Sequence, residues 1–186
     1  MRICENYPKD VLFCLLNSLS THDTPRILTL LSDVPTPETR EGRAEYTLSP
    51  TNKKAAIARL RTAVALQFAL PGAPCIYYGD EAGMEGYEDP FNRRFYPWGD
   101  ENEELVSLHR TLGRLRREHP ALRLGECEVT VHTEDALTIS RQYAGEAVFF
   151  TLTRGTPINI AAKEILFAHG EEGGRIENGF AFYRRA

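Results

Sequence analysis

The stretch "VLFCLLNSLSTHDTPRILTLL" (residues 11–31) joins an apolar run to a polar turn and a second apolar segment. Its first part, Val11 to Leu16, is rich in strand formers and has no alternation. That pattern is typical of a strand buried on both faces in a parallel sheet. Thr24-Pro25 matches an N-cap followed by proline at the first helical position, which predicts a helix from Pro25 to Leu31. The stretch therefore predicts a β/α unit.

The same arrangement recurs further along the chain. A surface excursion is predicted over 33–50 and a helix over 52–70, and the apolar run Cys75 to Tyr78 predicts a second strand. A leucine stripe predicts the next helix over 103–118.

Charged side chains follow both predicted strands. His22 and Asp23 follow the first, and Asp80 and Glu81 follow the second. Carboxyl ends of parallel strands converge on one face, which is the working face of a (β/α) barrel and equally of an open doubly wound sheet. The pattern alone leaves both folds open.

Composition excludes some classes of partner. The formal net charge is -4, from 22 basic and 26 acidic residues that are interspersed along the chain. No basic patch fits a nucleic acid or an anionic membrane surface, and no apolar stretch is long enough to span a membrane. We therefore expect neither nucleic acid nor membrane as a partner, and a cytoplasmic location.

The last third of the chain has a different pattern of apolar and polar residues. Apolar residues alternate with polar ones in six short runs separated by glycine or charged turns, which predicts a small antiparallel β-sandwich. The predicted domains are 1–121, with the two β/α units, and 122–186, with the sandwich.

Two long motifs resemble one family. "LLNSLSTHDTPRILTLL" (residues 15–31) resembles the seventh-strand region of the α-amylase family, glycoside hydrolase family 13, with its Asn-x-x-x-x-His-Asp motif. "ALPGAPCIYYGDEAGMEGYEDPFNRRFYPW" (residues 69–98) is similar to the eighth-strand region of the neopullulanase, cyclomaltodextrinase and maltogenic amylase branch. The resemblance implies the last two β/α units of a (β/α)8 TIM barrel followed by a small β-sandwich.

The resemblance also implies roles for four residues. Asp23 matches the family's catalytic aspartate that stabilises the transition state, and His22 matches the histidine that binds the same glucose unit. Asp89 and Arg93 match an Asp-Pro-x-x-Arg pair that binds the next glucose. A carboxylate accepts hydrogen bonds from adjacent hydroxyls, and these bonds strengthen as positive charge develops on the ring.

The residues of this chain that resemble the family include only one of the family's three catalytic carboxylates. A retaining glycosidase needs a nucleophile and an acid about 5 Å apart, and in this family they come from the fourth and fifth strands. We therefore expect a C-terminal part of a retaining α-glucan hydrolase that is inactive by itself. Its partners would be an α-glucan oligosaccharide and the N-terminal part of the same enzyme. No cofactor or metal is expected; a calcium ion in a full-length relative would have no site readable in these residues.

Two alternatives stay open. The chain could serve as a non-catalytic glucan-binding or assembly module. A remote alternative is an HD-type metal phosphohydrolase, in which a His-Asp doublet binds a divalent metal together with further ligands. Four aromatic residues are candidates either for stacking on sugar rings or for the core: Tyr77, Tyr78, Tyr87 and Trp98.

Overall fold

The computed structural model describes residues 6–185 of the chain. They divide into two units. The first contains the described residues up to Asn17, Ala65–Pro74, and the described residues from Leu112 onward. The second contains Ser18–Val64 and Cys75–Thr111. Across residues 6–185, no helix is long and apolar enough to cross a membrane.

Helices and short strands come first along the chain, and β-structure dominates the last third. The helices are α1 (Lys9–Phe13), α2 (Ile27–Leu30), α3 (Arg40–Glu45), α4 (Pro50–Ala69), α5 (Glu103–Glu118) and α6 (Pro120–Leu124). The strands are β1 (Leu16–Ser18), β2 (Ala73–Cys75), β3 (Glu126–Thr133), β4 (Ala136–Tyr143), β5 (Glu146–Thr153), β6 (Ile158–Asn159), β7 (Glu164–Glu172) and β8 (Arg175–Arg184).

The first predicted strand was wrong. Most of the run from Val11 to Leu16 lies in or just after helix α1, where Leu12 is the one buried residue. Strand β1 begins only at Leu16, whose side chain is 69% exposed. A short apolar run does not distinguish a strand from a helical turn by periodicity, and Pro8 stands at the helix N-cap, just before a region where proline is well tolerated.

Strands β1 and β2 pair with each other in a two-stranded sheet. The Ala73 amide donates to the Leu15 carbonyl at 2.8 Å, and the Asn17 side chain donates to the Pro71 carbonyl at 2.7 Å. Strand β2 ends at Cys75, three residues before the predicted end. Within residues 6–185 the predicted units of a TIM barrel are not visible.

Helix α2 is shorter than predicted and has a different cap. It begins at Ile27, and the Ile27 amide donates to the Ser20 hydroxyl at 2.8 Å. Thr24, the expected N-cap, instead accepts a hydrogen bond from the Thr21 amide at 2.9 Å. The residues before the helix therefore form a turn of their own.

The two longer helices lie where they were predicted. Helix α4 spans 50–69 against the predicted 52–70, and α5 spans the predicted 103–118. The excursion at 33–50 carries one short helix, α3, which has no buried residue. Long amphipathic helices are well predicted because their spacing and end signals are local.

The last third is a β-sheet-rich domain, consistent with the predicted β-sandwich. Six strands pair antiparallel: β3 with β4, β4 with β5, and β5, β6 and β7 each with β8. Two-residue turns close the hairpins at Ala144-Gly145 and Gly173-Gly174, and all four of these residues have positive φ. Such turns match the twist of the strands they join.

Aromatic side chains form the core of this sheet. Phe150 and Phe182 are directly opposite across β5 and β8, with ring centroids 4.7 Å apart. Phe180 and Tyr183 are also fully buried. Cross-strand aromatic pairs of this kind stabilise a sheet beyond the area they bury.

Two buried arginines bind the carboxyl end of α4 in the first unit. Arg116 donates to the carbonyls of Phe68 (2.8 Å) and Gly72, and Arg141 donates to that of Ala69 at 2.8 Å. Helix ends leave carbonyls unpaired and carry partial negative charge, so guanidinium donors are favourable there. Burial, with the nearby charge of Arg141, lowers the pKa of Arg116 to about 10.

Candidate functional site

The predicted site residues His22 and Asp23 lie in the exposed turn before α2. Their side chains are 66% and 71% exposed, and the His22 Nε2 lies 3.1 Å from the Asp23 Oδ2. The turn is stabilised locally by Thr21, whose hydroxyl accepts from the Asp23 amide at 3.2 Å. Both side chains are therefore accessible to a ligand from solution.

The structure brings all four predicted site residues together within the second unit. Arg93 Nε lies 2.8 Å from the Asp89 Oδ1, and the Arg93 Nη2 lies 3.7 Å from the Asp23 Oδ1. Arg93 also donates to the His22 carbonyl at 3.2 Å. Residues 22–23 and 89–93 thus form one cluster, although about 70 residues of chain separate them.

The cluster presents two carboxylates around one guanidinium, beside an imidazole. The side chains of Arg93 and Asp89 are 45% and 55% exposed, so a ligand can reach all four groups. Carboxylate oxygens accept from hydroxyls, and guanidinium and imidazole nitrogens donate to ring and hydroxyl oxygens. Such a set suits a polyhydroxylated ligand.

A buried ion pair underlies this cluster. Arg26 is fully buried, and its Nη1 lies 3.1 Å from the Asp80 Oδ1 and also donates to the Tyr78 carbonyl. Burial raises the pKa of Asp80, and hydrogen bonds from Ser20 and Arg26 partly offset that rise. A buried charge has to be paired in this way, since leaving it alone is costly.

Sequence reasoning missed Arg26 and did not explain Asp80. An arginine at the start of an otherwise apolar segment, and an aspartate directly after a predicted strand, were the available signals. Neither signal identifies its partner, because the two residues are 54 positions apart. Their pairing is a tertiary contact.

Aromatic residues considered for sugar stacking have varied surroundings. The Arg26 guanidinium lies 4.2 Å and 4.6 Å from the ring centroids of Tyr77 and Tyr78. Tyr87 is buried against Tyr46. Trp98 is 84% exposed, with the Tyr96 ring 4.6 Å away. Of the four candidates, Tyr77 and Tyr78 thus pack on the ion pair and Tyr87 on the core.

No potential metal centre is found in the part of the chain that the structure describes. Among residues 6–185, no group of three or more His, Cys, Asp or Glu side chains is arranged to hold a metal ion. The His22 and Asp23 side chains contact each other, and Arg93 contacts the Asp23 carboxylate and the His22 carbonyl.

Comparison with known proteins points to enzymes that act on α-glucans. No family model matches the chain. An amylopullulanase from Thermoanaerobacter thermohydrosulfuricus is 37% identical over 142 residues, which is 76% of this chain and 9% of that protein. A cyclomaltodextrinase from Thermoanaerobacter pseudethanolicus is 29% identical over 161 residues, 86% of this chain and 23% of that protein. The chain therefore spans less than a quarter of either relative.

A solved structure of a glucan hydrolase is similar to this chain in fold. The cyclic α-maltosyl-(1→6)-maltose hydrolase from Arthrobacter globiformis, in complex with that sugar, has a TM-score of 0.69 and 27% sequence identity. The match covers 87% of this chain and 32% of the hydrolase chain. Like the two sequence relatives, it extends far beyond the length of this chain.

Proposed function

Because this chain belongs to the α-amylase family of glycoside hydrolases and corresponds to a C-terminal portion of its neopullulanase, cyclomaltodextrinase and maltogenic amylase branch, we propose that its 22–23 and 89–93 cluster binds α-glucans. In this proposal the chain supplies part of the active site of a retaining hydrolase of α-1,4 or α-1,6 glucosidic bonds. The substrates would be maltooligosaccharides, cyclodextrins or pullulan.

The observation that carries the proposal is the convergence of the four residues. The family resemblance selected His22, Asp23, Asp89 and Arg93 from two separate motifs, and the Asp23–Arg93 and Arg93–Asp89 pairs connect those motifs in space. The hydrolase with the similar fold carries an α-glucan in its structure. Both facts support an oligosaccharide as the ligand.

Each residue has a proposed role. The Asp23 carboxylate accepts hydrogen bonds from two sugar hydroxyls, and these bonds strengthen as the ring becomes oxocarbenium-like. His22 donates to the same glucose unit. Asp89 and Arg93 bind the next glucose toward the non-reducing end, where a fixed carboxylate and guanidinium select hydroxyl geometry.

We propose the same two domains for the chain that the sequence predicts. Residues 1–121 would contribute the seventh and eighth β/α units of a TIM barrel, and 122–186 a C-terminal β-sandwich. The nucleophile and the acid carboxylate would come from barrel strands outside this chain. A cytoplasmic location remains a prediction.

Calorimetric titration with maltotriose tests the binding proposal. We expect the purified chain to bind maltotriose and the Asp23→Ala variant to lose at least about tenfold in affinity, since a charge-assisted hydrogen bond contributes roughly 1.5 to 3 kcal/mol. Asp100→Ala is the matched control, because Asp100 is also an exposed aspartate of the second unit. Equal affinity of the wild-type chain and Asp23→Ala would refute the assignment.

A further inference from the structure

The side chain of Asn92 is bonded to the turn that carries His22 and Asp23. Asn92 is fully buried, and its Nδ2 donates to the carbonyls of His22 and Thr24, both at 2.8 Å. The Thr21 carbonyl lies 3.4 Å from the same nitrogen. Carbonyl oxygens only accept hydrogen bonds, so the side-chain atom of Asn92 that faces these three carbonyls has to be the donating nitrogen, not the amide oxygen.

The main chain of Asn92 is hydrogen-bonded to the buried Arg26. Its carbonyl accepts a hydrogen bond from the Arg26 Nε at 2.8 Å. Arg26 is itself fully buried and paired with Asp80. Asn92 therefore connects a buried ion pair to an exposed turn.

The turn has one short hydrogen bond of its own, from the Thr21 amide to the Thr24 hydroxyl at 2.9 Å, and its other internal bonds are longer. The Thr24 amide lies 3.4 Å from the Thr21 carbonyl, and the Asp23 amide lies 3.2 Å from the Thr21 hydroxyl. The His22 carbonyl belongs to the peptide that joins His22 to Asp23. Fixing that carbonyl fixes the plane of this peptide and therefore the position of the Asp23 Cα, from which the side chain starts.

We propose that Asn92 is a positioning residue, which orients Asp23 and His22 for sugar binding through its amide hydrogens; this rests on the function proposed above. Asn92 contacts no ligand in this role. Aspartate has nearly the same size and no N–H, so it would place a carboxylate against three carbonyl oxygens. Such preorganisation spares a ligand the cost of ordering the turn.

The test compares maltotriose affinity in Asn92→Asp and Asn92→Ala with that of Asn102→Ala. The Asn102 side chain accepts from the Leu105 amide at 3.0 Å at the start of α5, so its loss removes a cap without touching the turn. We expect both Asn92 variants to bind about tenfold more weakly than wild type. Asn102→Ala should lower the unfolding temperature and leave the affinity unchanged.

Backbone amide signals in nuclear magnetic resonance supply a second readout, independent of the ligand. We expect the signals of residues 21–24 to shift or broaden in the Asn92 variants and to stay in place in Asn102→Ala. If Asn92→Asp does not fold, Asn92→Leu, which has nearly the same size and no side-chain donor, takes its place.

Two outcomes separate this inference from the proposed function. If the wild-type chain does not bind maltotriose, the proposed function fails, and the amide signals alone decide whether Asn92 holds the turn. If the Asn92 variants keep wild-type affinity, or leave the signals of residues 21–24 unchanged, the positioning role is overturned.

Discussion

At the residue scale, Arg93 is one of the side chains that connect the two sequence motifs. It lies within ion-pair distance of Asp89 and Asp23 and donates to the His22 carbonyl. Asn92 approaches the same carbonyl from the buried side. Two adjacent residues of one loop thus hold the His22–Asp23 turn, one through charge and one through a neutral amide.

Replacing Arg93 tests this connection. We expect Arg93→Ala to weaken maltotriose binding by about tenfold or more, because a charge-assisted donor to sugar and turn is lost. Arg94→Ala is the control: the neighbouring Arg94 donates to the Ala44 carbonyl, away from the four residues. Calorimetry on both variants measures the difference in maltotriose affinity. A similar loss of affinity in Arg94→Ala would mean that binding depends on the conformation of this loop and not on the Arg93 side chain itself.

At the scale of elements, the carboxylate of Glu146 connects helix α6 to strand β5. It accepts from the Ala121 amide at 2.9 Å and lies 2.7 Å from the His119 Nδ1, and Arg184 of β8 is 3.3 Å away. Partial burial raises the pKa of Glu146, but the hydrogen bonds from Ala121, His119 and Arg184 outweigh it, so the net shift is downward.

The lowered pKa of Glu146 predicts a pH-dependent contribution to stability. A carboxyl whose pKa is lower in the folded chain stabilises it above the pKa of the unfolded chain, and the contribution disappears as pH falls through the folded value. We expect Glu146→Gln to reduce the free energy of unfolding by about 1 to 2 kcal/mol at neutral pH. The reduction should shrink below the ordinary glutamate pKa.

Urea unfolding at a series of pH values measures this effect. Glu128→Gln is the control, because Glu128 is an exposed glutamate on β3. A reduction for Glu146→Gln that stays constant from neutral to acid pH would show that the carboxylate charge has no part in it.

At the scale of the whole molecule, the chain spans 9% and 23% of two relatives that are glucan-degrading enzymes. The described cluster contains the carboxylates of Asp23 and Asp89, which both face Arg93. Retaining hydrolysis requires a nucleophile and an acid on opposite sides of the scissile bond. In the function proposed above, neither of these aspartates takes either of those two roles.

We therefore expect no hydrolysis by the purified 186-residue chain. Incubation with cyclodextrin, maltotriose and pullulan should release no reducing sugar above the buffer blank, while a full-length cyclomaltodextrinase serves as the positive control. Turnover that disappears in Asp23→Ala would contradict the expectation and place the missing chemistry within this chain.

The sequence by itself determined helices α4 and α5 and the strands after residue 122 with their turns, and its resemblance to the α-amylase family selected the four candidate site residues. These features depend on local periodicity, on glycine and proline at element ends, and on contiguous motifs. Their signal lies within a few neighbouring residues.

Only the tertiary structure decided the rest. Val11 to Leu16 favours a strand on pattern, yet most of it lies in or beside a helix, because an apolar run of six residues fits either element. Arg26 and Asn92 are 66 residues apart, and only folding brings the guanidinium to the Asn92 carbonyl. Hydrogen bonds between distant segments leave no periodic trace in a single sequence, so the support of the His22–Asp23 turn became visible only in three dimensions.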